Sequence, residues 1–302
     1  MDEIQRTELV EIAGKGVQFD CPMRRYTTFR VGGKVHALYF APGLEDLKRM
    51  IGYLNGEGIH YIVVGKGSNL LVRDDGYQGV VIILREKLAA IERNNDENTI
   101  QAGGGLTISE LLEYCKTQGL GGLEFLAGIP GTVGGAVAMN AGAFGKEIGG
   151  MVREIQMVTR KGDLVTRDRS NISFAYRELS LDKGSVIFKV VFKLDNESPE
   201  IITRKVADYL RKRKEKQPLE YPSGGSVFKN PPNDYAGRLI EMAGLMGKKI
   251  GGAMISPKHA NFIVNTGGAR AEDILALIDL AREKVREKTG IELEPEIRVA
   301  GS

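Results

Sequence analysis

The sequence predicts an α+β fold, because helical and strand-like segments follow one another in irregular order with glycine-rich turns between them. Residues 44–57 place apolar side chains on one face of a helix, with two glycines at its end. Residues 185–194 alternate as a strand does, with valine, phenylalanine and leucine on one face and Lys189 and Lys193 on the other. The chain carries 39 glycines in 302 residues, against about 21 at the average usage of ~7%.

The remaining elements follow from local signals along the chain. Two strand-like runs, at residues 61–64 and 79–84, come after the first helix. A second helix should begin near Thr107, which has capping-box spacing to Glu110, and should end at Gly119. Further helices are predicted at the strongly basic residues 201–216 and at residues 271–288.

The chain length and a change of character near residue 200 predict two domains. The basic helix is followed by a loop at 218–225 that is rich in proline, serine and glycine. We therefore expect a first domain of residues 1–200 and a second domain of residues 201–302.

Charge and composition exclude several classes of protein. A formal net charge of +3 is too small to indicate nucleic-acid binding. The N-terminal segment lacks the apolar core of an export signal, and no run approaches the ~18 apolar residues of a membrane helix. Cys21 and Cys115 have no metal or redox spacing, and the three histidines have no metal spacing either. We therefore expect a cytoplasmic protein without a metal, a nucleic-acid or membrane partner, or an obligatory protein partner.

Two glycine-rich stretches are the strongest sign of a ligand. The first stretch is GKGSNLLV, Gly65–Val72, and the second stretch is GIPGTVGGAVAMNAGAFG, Gly128–Gly145. Glycine lets a backbone approach a ligand closely, and successive N–H groups in such loops bind anions. Neither stretch fits a dinucleotide fingerprint, since Leu70 stands where the third glycine belongs, and neither is a Walker loop. Tight turns between strands are the alternative, but the length and low charge of the second stretch favour a buried cofactor.

Three polar residues are candidates for a catalytic role. Ser226 lies in GGSVFKNP and makes a Ser-x-x-Lys pattern with Lys229. Together with the Lys-Thr-Gly triplet at 288–290, this pattern matches two elements of the signature of acyl-serine enzymes. The middle element of that signature is missing, and the triplet falls at a predicted helix end. Arg177 in SFAYREL and Glu296 in EPEIRVAG would each be typical of solvated surface residues if taken alone. The basic helix is either a solvated face or a diphosphate clamp.

Six segments together resemble one flavoenzyme family, the UDP-N-acetylenolpyruvoylglucosamine reductases of bacterial peptidoglycan synthesis. They occur in the family's order and span nearly the whole chain. They are TTFRVGG (Thr27–Gly33), GKGSNLLV, GLEFLAGIPGTVGGAVAMNAGAFG (Gly122–Gly145), SFAYR (Ser173–Arg177), GGSVFKNP (Gly224–Pro231) and EPEIRVAG (Glu294–Gly301).

The resemblance implies a p-cresol-methylhydroxylase-type FAD-binding domain followed by a smaller α+β substrate-binding domain. It implies bound FAD, NADPH as the reductant, and reduction of the enolpyruvyl ether of UDP-N-acetylglucosamine to a lactyl ether. By matching position it implies Ser226 as the proton donor, with Arg177 and Glu296 as its catalytic partners. The implied cofactor-binding residues are Gly65, Gly67, Ser68, Asn69, Gly128, Pro130, Gly131, Thr132, Gly134, Gly135, Asn140 and Gly142. The implied substrate contacts are Tyr176, Arg213, Lys216, Asn230 and Arg298.

The chain departs from part of the family in one respect. Some members carry an inserted segment after SFAYR, with a tyrosine that closes over the substrate, whereas only a short polar stretch follows Arg177 here. The chain therefore resembles the shorter subtype. Two alternatives stay open at this point: another FAD oxidase or dehydrogenase of the same fold, and, from a different class, an acyl-serine hydrolase or a non-catalytic nucleotide-binding module.

Overall fold

The computed structural model describes residues 1–94 and 98–301. The α-helices in these ranges are α1 (Glu3–Ala13), α2 (Leu44–Gly56), α3 (Ile108–Thr117), α4 (Val133–Ala138), α5 (Pro199–Lys216), α6 (Ala236–Met242) and α7 (Ala271–Thr289). The strands are β1 (Val17–Pro22), β2 (Lys34–Ala41), β3 (Tyr61–Val63), β4 (Leu70–Val72), β5 (Tyr77–Leu84), β6 (Ile91–Arg93), β7 (Thr99–Gly103), β8 (Leu120–Gly121), β9 (Gly142–Ala143), β10 (Lys146–Glu147), β11 (Val152–Val158), β12 (Leu164–Asp168), β13 (Phe174–Ala175), β14 (Glu178–Leu179), β15 (Val186–Lys193), β16 (Asp195–Asn196), β17 (Ser223–Ser226), β18 (Lys249–Ile250), β19 (Ala253–Ile255), β20 (Phe262–Asn265) and β21 (Arg298–Ala300).

The chain forms two compact units that are not consecutive in sequence. Unit 1 comprises residues 1–19, 36–65 and 79–211, and unit 2 comprises residues 20–35, 66–78 and 212–302, of which Ser302 lies outside the described residues. The predicted boundary at residue 200 differs from this division in two ways. The division falls inside α5, because that helix is continuous from Pro199 to Lys216. Residues 66–78 belong to unit 2, because β4 pairs in parallel with the C-terminal strand β21. Residues 20–35 also belong to it, because the Asn265 side chain donates to the Phe29 carbonyl and the Gly33 N–H donates to the Arg73 carbonyl.

Unit 1 is organised around the strand β15. The five-stranded sheet has the order β12-β11-β15-β7-β6, so β15 is its central strand. The alternating pattern predicts apolar residues on one face of this strand only. The structure corrects that prediction, because Ile187 and Val191, on the face of Lys189, are buried as well. On the other face Val186 and Phe188 enter one apolar core and Val190 and Phe192 enter another, so both faces of β15 are covered.

The helices of unit 1 follow the predicted signals where those signals are local. Helix α2 buries Leu47 and Ile51, as its apolar face predicts. Helix α3 begins with a complete capping box, in which Thr107 and Glu110 each accept the other's backbone N–H. Helix α1 was not predicted. It carries a capping box of its own, but Leu9 is its only buried residue, so its apolar pattern is weak.

Unit 2 combines an antiparallel sheet, β17-β20-β19-β18, with the helices α6 and α7. Helix α7 ends as predicted at Gly290, which has φ 73° and donates its N–H to the carbonyl of Arg286. The triplet at 288–290 is therefore a helix end. None of the helices in the described part of the chain has the length and hydropathy that a bilayer span requires.

Candidate active site

Ser226 is the last residue of β17 and follows a β-bulge in unit 2. Ser223 pairs with Val264 and Ser226 pairs with Phe262, so β17 advances by three residues where β20 advances by two. A side chain at position 224 would collide with the ring of Phe29, and Gly225 has φ 76°. A bulge of this kind bends the strand and turns the following side chain to a new direction. The Gly-Gly-Ser sequence is therefore explained by the geometry that presents Ser226.

The backbone after Ser226 is fixed by Asn261, which is 4% exposed. The Asn261 side chain accepts the Phe228 N–H at 2.9 Å and donates to the Phe228 carbonyl at 2.8 Å. Its own carbonyl accepts the Val227 N–H at 2.8 Å. Asn261 is not among the residues predicted for the site. The available signal was a polar residue within the otherwise apolar segment 260–264.

Glu296 lies on the segment that pairs with the residues after Ser226. Its N–H donates to the Val227 carbonyl at 2.7 Å, and the Lys229 N–H donates to the Glu294 carbonyl at 2.9 Å. Unit 2 thus brings Ser226 and Glu296 onto adjacent backbone segments. The Lys229 ammonium pairs with the Glu294 carboxylate at 2.6 Å. The strand ends at Ser226 and Phe228 forms a bridge to Pro295, so this segment is not helical. Ser226 and Lys229 therefore do not share a face as residues three apart on a helix would, which argues against the acyl-serine alternative.

The first stretch contributes Asn69 to the same part of unit 2. The Asn69 side-chain amide donates to the Glu296 carbonyl at 3.1 Å, and the Asn69 carbonyl accepts the Arg298 N–H at 3.0 Å. Gly67 has φ 62°, and a side chain there would collide with the carbonyl of Tyr26. The Thr28 N–H donates to the Gly67 carbonyl at 3.2 Å. The TTFRVGG segment therefore supports the first stretch.

Gly65, at the start of the first stretch, meets the second stretch within unit 1. A side chain at position 65 would collide with the hydroxyl of Thr132. The N–H groups of Val133 and Gly134 donate to the carbonyls of Leu106 and Gly104, at 2.8 and 2.9 Å. These two amides are occupied within the protein. The prediction that successive N–H groups of the second stretch are open to an anion is therefore wrong for Val133 and Gly134.

The rest of the second stretch fits a flavin nucleotide. Gly128, Pro130 and Gly135 are exposed, and residues 128–145 carry no charged side chain. A Cβ added at Gly131 would have only Ile108 within 4 Å, at 3.9 Å, and one added at Gly135 would have only Thr132, at 3.5 Å. The backbone is therefore open at these positions, as a closely bound diphosphate requires.

Arg177 occupies the turn of a β-hairpin in unit 1. Strands β13 and β14 pair Ala175 with Glu178, so Tyr176 and Arg177 form a two-residue loop in which Arg177 has φ 59°. The guanidinium Nη1 donates to the carbonyl of Gly142 at 3.0 Å. The Arg177 Cζ lies 5.5 Å from the ring centre of Tyr176, which is 47% exposed. Arg177 is thus held against the second stretch, with Tyr176 beside it in the turn.

Asn140 of the second stretch is 1% exposed, and its side chain bonds three protein groups. Its Nδ2 donates to the Glu147 carboxylate at 2.7 Å and to the Ala175 carbonyl at 2.9 Å. Its Oδ1 accepts the Gly149 N–H at 3.2 Å. The side chain of this predicted cofactor residue is therefore directed into the protein.

The predicted substrate residues of unit 2 differ in exposure. Helix α5 extends to Lys216, which is exposed, whereas Arg213 is only 8% exposed. Burial, with a further contribution from the charge of Lys216, lowers the pKa of His259, so this imidazole is neutral at pH 7. The Asn230 side-chain carbonyl accepts the Ala236 N–H at 3.1 Å, at the start of α6. Arg298 is exposed on β21.

Known proteins resemble this chain over nearly its full length. Residues 36–168 match the family described as FAD binding domain, and residues 217–300 match the family described as UDP-N-acetylenolpyruvoylglucosamine reductase, C-terminal domain. The reductase of Clostridium botulinum (strain 657 / Type Ba4) is 42% identical over 291 residues, which cover 96% of this chain and 94% of that protein. The reductase of Geobacter metallireducens is 42% identical over 304 residues, which cover 99% of each.

A solved structure agrees with these sequence relatives. The crystal structure of the UDP-N-acetylenolpyruvylglucosamine reductase from Thermus caldophilus matches with a TM-score of 0.81 and 37% identity, over 93% of this chain and 98% of that one. Sequence and fold thus agree over at least 93% of the chain. The chain belongs to the UDP-N-acetylenolpyruvoylglucosamine reductase family.

Proposed function

We propose that this chain is an NADPH-dependent flavoenzyme that reduces UDP-N-acetylglucosamine enolpyruvate to UDP-N-acetylmuramate for peptidoglycan synthesis. One observation carries the proposal: hydrogen bonds join the segment after Ser226 to the backbone of Glu296, and the Asn69 side chain of the first stretch to the Glu296 carbonyl. Two candidate catalytic residues and a candidate flavin-binding loop therefore lie on hydrogen-bonded neighbouring segments of unit 2. The names of the relatives support the same reaction.

The two glycine-rich stretches would hold FAD. The open backbone at Gly131 and Gly135 of the second stretch is the part best suited to it, and Gly65 and Gly67–Asn69 of the first stretch complete the proposed set. When bound, FAD supplies the hydride chemistry that links NADPH to the enolpyruvyl group, and the protein supplies position and electric field.

The proposed catalytic residues act on the substrate's charge and on one proton. Addition of a hydride to the β-carbon of an enolpyruvyl group leaves negative charge on the α-carbon and its carboxylate. The Arg177 guanidinium would stabilise that charge. The Ser226 hydroxyl would donate its proton to the α-carbon, a role that requires hydrogen-bond reach more than a low pKa. Glu296 would assist as the partner of Ser226.

The cysteines support a cytoplasmic location. Cys21 and Cys115 are both buried and neither forms a disulfide, as expected in a reducing compartment. Burial, with a smaller contribution from the charge of Glu124, raises the pKa of the Cys115 thiol to about 12. This thiol therefore stays protonated and unreactive at neutral pH. We propose that the enzyme works in the cytoplasm, with no catalytic use of either cysteine.

We expect the basic end of α5 to bind the diphosphate of the substrate. Replacing both Arg213 and Lys216 with alanine should weaken substrate binding by about tenfold or more, since hydrogen bonds to charged groups contribute ~1.5–3 kcal/mol each. The loss should be largest at low salt, where charge attraction is least screened. Titration of the oxidised enzyme with substrate at two salt concentrations measures it.

A matched control separates this site from a general effect of charge. Lys214 is exposed on the same helix, and Lys214→Ala removes the same charge as Lys216→Ala. The single change Lys216→Ala also keeps the buried Arg213 in place, so a loss of affinity is not confused with a loss of folding. Equal affinities for Lys216→Ala and Lys214→Ala would assign the segment to a solvated helix face.

The proposed function predicts a yellow protein that releases FAD on denaturation. Purified protein should oxidise NADPH rapidly only when UDP-N-acetylglucosamine enolpyruvate is present, and UDP-N-acetylmuramate should accumulate. The released flavin is identified by chromatography, and the product by mass spectrometry. A colourless protein that FAD does not reconstitute would overturn the flavoenzyme assignment. Flavin without substrate-dependent turnover would leave only the broader FAD-oxidase alternative.

A further inference from the structure

Two hydrogen bonds tie the second stretch to the hairpin that carries Arg177. The Asn140 Nδ2 donates to the carbonyl of Ala175, two residues before Arg177, at 2.9 Å. The Arg177 Nη1 donates to the carbonyl of Gly142, two residues after Asn140, at 3.0 Å. The turn is therefore attached to one short backbone segment through both its main chain and its side chain.

Arg177 requires such support because of its backbone conformation. Its φ of 59° lies in the left-handed region, which is unfavourable for a residue with a long side chain. Non-glycine residues persist in that region only where the surrounding structure fixes them. The hydrogen bond from Asn140 to Ala175 acts on the strand residue that leads into this turn.

We propose that Asn140 is a positioning residue that sets the place of the Arg177 guanidinium, and not a ligand of the flavin; this inference rests on the function proposed above. The side-chain amide has two N–H donors. One donates to Glu147 and the other to Ala175, and the amide oxygen accepts the N–H of Gly149. With the side chain 1% exposed, no donor is left to reach a bound cofactor.

Asparagine is the residue type that this position requires. The backbone of Asn140 has φ 40°, a left-handed conformation that asparagine tolerates better than most residues. The position also needs donors toward Ala175 and Glu147 together with an acceptor toward Gly149. An aspartate would keep the acceptor but would direct an oxygen at the Ala175 carbonyl and the Glu147 carboxylate.

Asn140→Asp is the first test. We expect unchanged FAD affinity and an unchanged rate of flavin reduction by NADPH. We expect reoxidation by UDP-N-acetylglucosamine enolpyruvate to slow by about 10–100-fold, because a misplacement of ~1 Å costs on the order of 10² in rate. Glu147→Gln is the control, since its amide oxygen still accepts from Asn140 and reoxidation should stay near the wild-type rate. Fluorescence titration of the apoprotein measures FAD affinity, and stopped-flow absorbance measures the two half-reactions.

A double-mutant cycle tests whether Asn140 acts through Arg177. Added to Arg177→Ala, the Asn140→Asp change should slow reoxidation little further, because both changes remove the same contribution. Multiplicative losses, or weakened FAD binding by Asn140→Asp alone, would overturn the inference. Unchanged reoxidation in Asn140→Asp, where Arg177→Ala is slow, would overturn it without affecting the proposed function.

A second variant covers the case in which Asn140→Asp does not fold. Asn140→Gly allows the positive φ and removes all three side-chain hydrogen bonds, so it should show the same slow reoxidation with normal FAD affinity. Failure of both variants to fold would assign Asn140 to the stability of unit 1 and would overturn the positioning role.

Discussion

Ser226→Ala should leave flavin reduction by NADPH nearly unchanged and should slow reoxidation by the enolpyruvyl substrate by about 10²–10⁴-fold, the usual contribution of general acid catalysis. That loss corresponds to roughly 3–5 kcal/mol of barrier. The asymmetry arises because no proton must reach the α-carbon until the substrate is reduced. Stopped-flow absorbance of the flavin follows each half-reaction separately.

Ser223→Ala is the matched control for this change. Ser223 lies on the same strand, β17, before the bulge that presents Ser226, and its loss should leave both half-reactions intact. If Ser226→Ala slowed both halves equally, or neither, the proton-donor role would be wrong. GGSVFKNP would then be a structural loop held by Asn261.

Arg177→Ala should slow the same half-reaction by about 10²–10³-fold, the cost of losing one donor to a developing negative charge. Arg177 acts on the substrate carboxylate and not on NADPH, so flavin reduction should again be spared. Arg177→Lys should recover part of the rate, because it keeps the charge but not the planar group that bonds Gly142. We expect reoxidation to be fastest in the wild type, slower in Arg177→Lys and slowest in Arg177→Ala, and single-turnover rates of the three proteins measure this order.

Arg169 provides the control for Arg177. It belongs to the same unit, its guanidinium lies 5.6 Å from the ring centre of Phe174, and it donates to the carbonyl of Ile172. Arg169→Ala removes an equal charge from the neighbourhood of the hairpin. If the two alanine variants slowed reoxidation alike, the effect of Arg177 would be one of general charge and not of a specific contact.

The fold could be predicted from sequence where local chemistry decides the structure. The capping box at Thr107, the apolar face of α2 and the end of α7 at Gly290 depend on neighbouring residues only. The division into units could not be predicted in this way. It depends on the pairing of β4 with β21, in which Leu70 is paired with Arg298, 228 residues further along the chain, and no local pattern encodes such a partner.

The candidate site shows the same contrast. The proposed roles of Ser226, Arg177 and Glu296 come from the family resemblance, since each residue would pass for an ordinary surface or loop residue by itself. The supporting contacts were not predicted. Asn261 fixes the backbone beside Ser226 from 33 residues beyond Phe228, and Asn140 bonds a hairpin that is distant in sequence. Such roles depend on which segments the fold brings together, and the sequence gives only the residue type.

An anaerobic single turnover decides whether the proposed reaction takes place. Enzyme reduced by NADPH is mixed without oxygen with UDP-N-acetylglucosamine enolpyruvate, while flavin absorbance and product are followed together. We predict full return of the oxidised flavin spectrum, with UDP-N-acetylmuramate formed in the same amount as flavin. A flavin that stays reduced, or that reoxidises equally with UDP-N-acetylglucosamine lacking the enolpyruvyl group, would contradict the proposed function.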